Sequence, residues 1–228
     1  RDDQISDWMD LVSIAGTITF KDCEDTPVWK YSANGQYSVK SFYNIVNFRG
    51  ILPVHTQHVW KLSIVPRVQI FLWLVYYNKI LTRNNLAKRQ HVPHMTCVFC
   101  SEAESCQHLF FDCVVSIELW RAIADISGVG KVSDIEKLAA WWVSNKKHAV
   151  VNALHAAVMW SLWKIRNNLC FNRSVWSGMQ KIWRQVAMEL AAWEVLFSND
   201  AKIQVSAVVK NLEKLARDPP MLMWPDPG

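Results

Sequence analysis

A chain of 228 residues with 51% hydrophobic content, 7 glycines and 8 prolines can bury the core of one domain or two small ones, which excludes a disordered or low-complexity protein. The 13 tryptophans bring indole surface that must pack in a core, against a partner or against bases. A net charge of +5 attracts polyanions, yet many enzymes carry as much, and without a signal peptide or an apolar run of membrane-spanning length the expectation is an intracellular protein, nuclear or cytoplasmic, with no membrane partner.

The opening segment begins with Arg1, which suggests a piece of a longer protein. Val28-Trp29-Lys30-Tyr31 and Gln36-Tyr37-Ser38 flank Asn34-Gly35, a pairing that predicts a small β-hairpin. Ser38 is placed to cap a helix through Val39, Phe42, Tyr43 and Val46 to about Asn47, followed by a linker from Arg49 to Thr56. Trp60 to Leu81 is the most apolar part of the first half. Pro66 divides it into a short turn and a buried helix that reads as the core of a first lobe. Thr82 then starts a short helix bearing Arg83, Lys88 and Arg89.

Beyond Cys113, the spacing of Val114, Ile117, Leu119, Trp120 and Ile123 is helical, and Gly128 and Gly130 end that helix. Ser133 or Asp134 caps the next, through Trp142, and Lys146-Lys147-His148 reads as a solvated loop. Long helices follow over 149–171 and 177–197, with a weaker one over 203–217 and a proline-rich tail to Gly228. Trp160 and Trp163 share a helix face and read as core, while Lys164 and Arg166 either reach phosphate or end the apolar stripe in solvent.

Four of the six cysteines crowd one short segment, which favours metal over disulfides. Cys97-x2-Cys100-x7-His108-x4-Cys113 supplies three thiolates and one imidazole, the set a closed tetrahedral zinc (Zn2+) site requires. With every position filled by protein, such a zinc holds shape and does not catalyse. Cys106 lies two residues from His108 and competes with it as third ligand; His108 is preferred because zinc sites often combine a cysteine pair with a half containing histidine. His91 and His94 are upstream candidates only if that assignment fails, and Cys23 and Cys170 read as buried thiols. There is no acidic pair of the Tyr-x-Asp-Asp type and no Gly-rich phosphate loop, so no catalysis by this chain itself is expected.

The order Trp29-x5-Gly35-x-Tyr37-Ser38-Val39-Lys40-Ser41-x-Tyr43, Trp60-Lys61, Phe71-x-Trp73, Leu81-Thr82, Asn85-Leu86, Cys97-x2-Cys100 and His108-Leu109-Phe110-x2-Cys113 with Trp120 resembles the reverse-transcriptase zinc-binding domain of plant LINE-type (non-LTR) retrotransposons. Glu104 falls where that family carries an acidic residue, whereas Cys106 is an unusual addition. Trp160-x2-Trp163-Lys164-x-Arg166-Asn167 and Phe171 resemble the helical region that follows the domain. The resemblance implies a retroelement polyprotein, RNA or DNA as partner, and a neighbouring polymerase domain. It divides the chain into a flank (1–28), the zinc-binding domain (29–125), a helical region (132–216) and a linker or tail (217–228).

Arg83, Lys88, Arg89 and His91 flank the cysteines with charge suited to phosphates, and Phe99 is a candidate for base stacking. The expected fold is mostly α, with the hairpin, a zinc knuckle and a C-terminal helical bundle. The expected function is zinc-dependent RNA or DNA binding, and the alternative is a protein-interaction scaffold around a purely structural zinc.

Overall fold

The computed structural model describes residues 2–17, 24, 27–32, 34–47, 54–171 and 173–219. The chain divides into two compact units, Arg1–Leu52 and Pro53–Gly228. Cys23, most of the linker and the end of the tail lie outside the described residues.

In the first unit, helix α1 (Asp2–Gly16) occupies what read as a flank, with Ile5, Trp8, Met9 and Val12 exposed. The expected hairpin is a turn instead. Trp29 N–H donates to Gly35 O at 2.7 Å, Gly35 sits at φ +70°, and no strand forms among the described residues. The physical reason is local: the Trp29 ring meets Tyr31 and Tyr37 edge-on at 5.3 and 5.1 Å, so an aromatic cluster closes the loop where a ladder was expected. Helix α2 (Val39–Asn47) starts as its sequence predicts, with Ser41 N–H donating to Ser38 Oγ and Ser38 N–H to Ser41 Oγ, each at 3.1 Å.

The second unit is helical. A 3₁₀ turn (Val54–Lys61) leads to α3 (Pro66–Tyr76), where Pro66 occupies the first turn and costs no hydrogen bond. Val68, Phe71, Leu72 and Val75 of α3 face inward at helical spacing. Asn78 then turns the chain with φ +51°, and the buried Asn85 amide on α4 (Arg83–Ala87) donates to the carbonyls of Asn78 and Ile80, each at 2.9 Å. That amide ties α4 to the end of α3.

Helix α5 (Val114–Ser127) stops at Gly128, which adopts φ +66° in the left-handed region where glycine is at ease. Asp134 caps α6 (Ile135–Ala140) by accepting from Lys137 N–H at 2.8 Å. A second 3₁₀ turn leads into α7 (Asn145–Cys170), kinked at His148 (φ −120°, ψ 29°), so the regular helix begins at Ala149 as the sequence pattern implies. Every residue from Asn152 to Met159 is buried. A helix apolar nearly all round belongs in the middle of a bundle, and α7 packs against α3, α8 (Met179–Ala192) and α9 (Asn199–Arg217).

The mostly α class therefore holds, with one isolated bridge, Thr96 to Ala103, as the extended pairing among the described residues. No helix among the described residues is long and apolar enough to cross a membrane.

Candidate metal centre

Two arms of chain, Met95–Cys97 and Glu102–Glu104, run antiparallel and hold the first cysteine pair: Cys97 N–H donates to Glu102 O at 2.7 Å and Glu104 N–H to Met95 O at 2.8 Å. Between them the Cys97–Cys100 turn bends so that Phe99 N–H points at Cys97 Sγ, 3.5 Å away. A backbone donor at that distance favours a thiolate.

The second pair depends on a helical turn of unusual width. Ser105 opens it, its hydroxyl accepting from His108 N–H at 2.9 Å. His108–Asp112 is a π turn, closed by Cys113 N–H to His108 O at 2.8 Å. In an α-helix, residues five apart point about 140° away from each other around the axis. Bonding from i to i+5 winds the turn more loosely and swings both side chains to one side. The carbonyls of Leu109 and Phe110 are taken by the Ser116 hydroxyl and the Trp120 indole N–H, each at 2.6 Å. Trp120, one of the residues at helical spacing on α5, thereby acts as a strut for the turn.

The result brings Cys97, Cys100, His108 and Cys113 together with all four donor atoms within 4.8 Å of one another. Cys97 Sγ and Cys113 Sγ are 4.0 Å apart, Cys113 Sγ and Cys100 Sγ 3.8 Å, and Cys100 Sγ and His108 Nε2 3.2 Å. A tetrahedral zinc with sulfur bonds of about 2.3 Å sets its sulfurs about 3.8 Å apart. The donors thus fit one ion with small adjustment, and they are the group of three or more such side chains with this property among the described residues.

The electrostatics run the same way. Cys97 is held down to about 5, chiefly by its hydrogen bond with Cys113 and opposed by burial. Cys113 is pushed up by that same bond and by burial, and Cys100 is raised by burial. One negative charge settles readily in the cluster and further ones are resisted, which is the condition a divalent cation relieves.

Cys106 stands apart. Its Sγ lies 3.9 Å from Val75 O on α3, and burial pushes its thiol up to about 12. Within this geometry the fourth donor at the cluster is His108.

The other sequence candidates are scattered. Phe99 is corrected: only 3% exposed, it packs edge-on against Trp176 at 5.1 Å, and a ring so buried leaves no free face for a base. Arg83 is half-buried, its guanidinium donating to His94 O at 3.2 Å and lying 3.8 Å from Cys170 Sγ. Cys170 is itself half-buried. Lys88, Arg89 and His91 are exposed, with Lys88 Nζ 2.9 Å from Asn85 Oδ1. Trp160 and Trp163 pack on Phe71 at 5.1 and 6.1 Å, as a core reading requires. Lys164 pairs with Glu189 at 2.6 Å. Arg166, expected to reach phosphate or solvent, is buried instead.

Fold and site together define a helical second unit that carries a closed Cys3His cluster able to hold one metal ion. Residues 37–120 match the family model described as zinc-binding in reverse transcriptase, and the resemblance read from the sequence is borne out for that segment. A protein of Arabidopsis thaliana, provisionally named as a ribonuclease H protein, is 27% identical over 150 residues, covering 60% of this chain and 24% of its own length. The chain thus spans about a quarter of that relative. No solved structure matches the chain.

Proposed function

We propose that this chain is a zinc-held, non-catalytic nucleic-acid-binding module of a retrotransposon-derived polyprotein, with Cys97, Cys100, His108 and Cys113 as ligands of one Zn2+. The observation that carries the reading is the closed set of four converging protein donors. Such a site leaves no position for a reactive water and contributes shape and stability. The match to a reverse-transcriptase zinc-binding family and a relative named for ribonuclease H support a polymerase-type neighbour and an RNA or DNA partner. Lys88, Arg89 and His91, exposed beside the knuckle, are the residues suited to phosphate, with Arg83 contributing from its half-buried position. Cysteines clustered as metal ligands and not as disulfides are the usual pattern of a reducing compartment, in keeping with an intracellular place for the module.

The test is zinc stoichiometry on the purified chain, followed by titration with single-stranded RNA and duplex DNA at several salt concentrations. One zinc per chain is expected. Affinity should fall with salt by a log–log slope of about −0.7 to −0.9 per phosphate neutralised. Absence of zinc would remove the reading. Zinc with no salt-dependent binding would favour a protein-interaction scaffold instead, a reading that the exposed Trp60 and Ile70 of the second unit also suit.

A further inference from the structure

Glu104 lies in the loop between the two halves of the metal cluster, four residues after Cys100 and four before His108. Its side chain is 0% exposed and meets Arg166 of α7, itself 6% exposed, in a two-pronged ion pair: Arg166 Nη2 donates to Oε1 at 2.6 Å and Nε to Oε2 at 3.0 Å. Oε1 also accepts from Arg83 N–H at 2.7 Å, and the Glu104 carbonyl accepts from Asn84 N–H at 3.2 Å. One acidic residue therefore anchors the start of α4, the helix that leads to Lys88 and Arg89, and grips the central helix of the bundle. The arginine is fixed on its own side by Asn167 Oδ1 at 2.9 Å and by the Trp163 ring, 5.1 Å from its guanidinium carbon. Among the described residues, this is the ion pair that joins the knuckle loop to α7.

From this arrangement we propose that Glu104 is a positioning residue that couples metal occupancy of the knuckle to the placement of the cationic α4 segment and the C-terminal half of α7. A buried carboxylate is tolerable only when its partners are in place, because an unpaired charge in an apolar interior is strongly disfavoured. The place of Glu104 is set by the backbone bonds of its arm to the arm that carries Cys97. Metal bound across Cys97, Cys100, His108 and Cys113 locks those arms together, and the carboxylate then presents both oxygens to Arg166 and Arg83 N–H. Without metal the arms loosen, the pair loses its geometry, and the basic segment loses its anchor. Linkage is reciprocal: whatever the metal does for the pair, the pair does for metal affinity.

The inference rests on the proposed zinc reading and is separable from it by experiment. Zinc affinity is measured by chelator competition on the full chain for the wild type, Glu104→Gln, Arg166→Met and the double variant, with far-UV circular dichroism confirming retained helix. Each single change should weaken zinc binding by at least about fivefold. The double variant should be no weaker than the worse single one, since both remove one unit. In the zinc-loaded wild type, amide exchange in α4 and around Arg166 should be slow, and in zinc-loaded Glu104→Gln it should be fast. Should Arg166→Met fail to fold, Arg166→Lys keeps the charge without the fork and should show a smaller loss. Arg166 touches no metal ligand, so zinc affinity unchanged in both arginine variants would overturn the coupling while leaving the zinc site intact. A wild type that binds no zinc would overturn the proposed function and this inference together.

Discussion

His155 offers a stability test whose sign and size both follow from its surroundings. It lies in the fully buried stretch of α7, edge-on to Trp120 at 5.4 Å, and neither ring nitrogen has a hydrogen-bond partner among the described residues. Burial disfavours the imidazolium and lowers its pKa from 6.5 to about 4. In the unfolded chain the ring takes up a proton as pH falls through about 6.5, whereas the folded protein resists until about 4. The folded-state value is depressed, so the unfolded state binds more protons across this window and stability falls as pH falls, levelling below about 4. A separation of 2.5 units (6.5 minus 4) at about 1.4 kcal/mol per unit amounts to about 3.5 kcal/mol in full, of which about 3 kcal/mol is lost by pH 4, where the folded-state ring is half protonated. Urea unfolding of wild type and His155→Leu between pH 7.5 and 4 isolates the effect, because acid displacement of metal and protonation of carboxylates act on both proteins alike. The wild type should lose about 3 kcal/mol more than the variant across the window, and at pH 7.5 the variant should be equally stable or slightly better, since two unpartnered nitrogens are gone. Parallel curves would refute the reasoning, as would a loss of more than about 3 kcal/mol in the variant at pH 7.5, the mark of a hydrogen-bonded nitrogen.

Zinc content by elemental analysis should fall to near zero in His108→Ala and remain at one per chain in Cys106→Ser, because Cys106 faces Val75 and not the cluster. Trp120→Phe removes the donor to Phe110 O from a buried site and should cost about 1 to 3 kcal/mol in denaturant unfolding, in addition to lost packing; an unchanged midpoint would mean the π turn holds without its strut. At Gly128 an added Cβ meets nothing within 4 Å but the backbone stays at φ +66°, so Gly128→Ala should lower stability by about 1 kcal/mol through conformation alone. Alanine at both Lys88 and Arg89 should leave zinc content and thermal midpoint unchanged while flattening the salt dependence of nucleic-acid binding by up to two phosphates' worth.

Much of the helical framework was legible because it rests on local chemistry. Pro66 at the start of α3, Ser38 before α2, Asp134 before α6 and Gly128 after α5 act through bonds to residues a few positions away, and their spacing alone locates the helix ends. The four-donor cluster was legible for a similar reason: few patterns other than metal binding place a cysteine pair and a His/Cys pair so close together. The hairpin expectation at Asn34-Gly35 failed because alternation and a turn dipeptide do not reveal that Trp29 gathers Tyr31 and Tyr37 around itself. Helix α1 lies within the segment 1–28 that the sequence reading assigns to a flank, and its apolar residues Ile5, Trp8, Met9 and Val12 are exposed, so no burial pattern marks it as a core helix.

What only the tertiary structure decided are the pairings between distant segments. Sequence shows Glu104 and Arg166 as two charges 62 positions apart; folding buries both and makes each the condition for the other. Phe99 and Cys106 each sit within a few residues of the metal donors, and packing against Trp176 and α3 turned one away from any base and the other away from the cluster. Local pattern determines where helices begin and which side chains carry donor atoms, because those depend on bonds along the chain. Which donors converge, and which charges are paired or left to solvent, depends on how the chain folds back on itself, and pairwise burial is not written in any one segment.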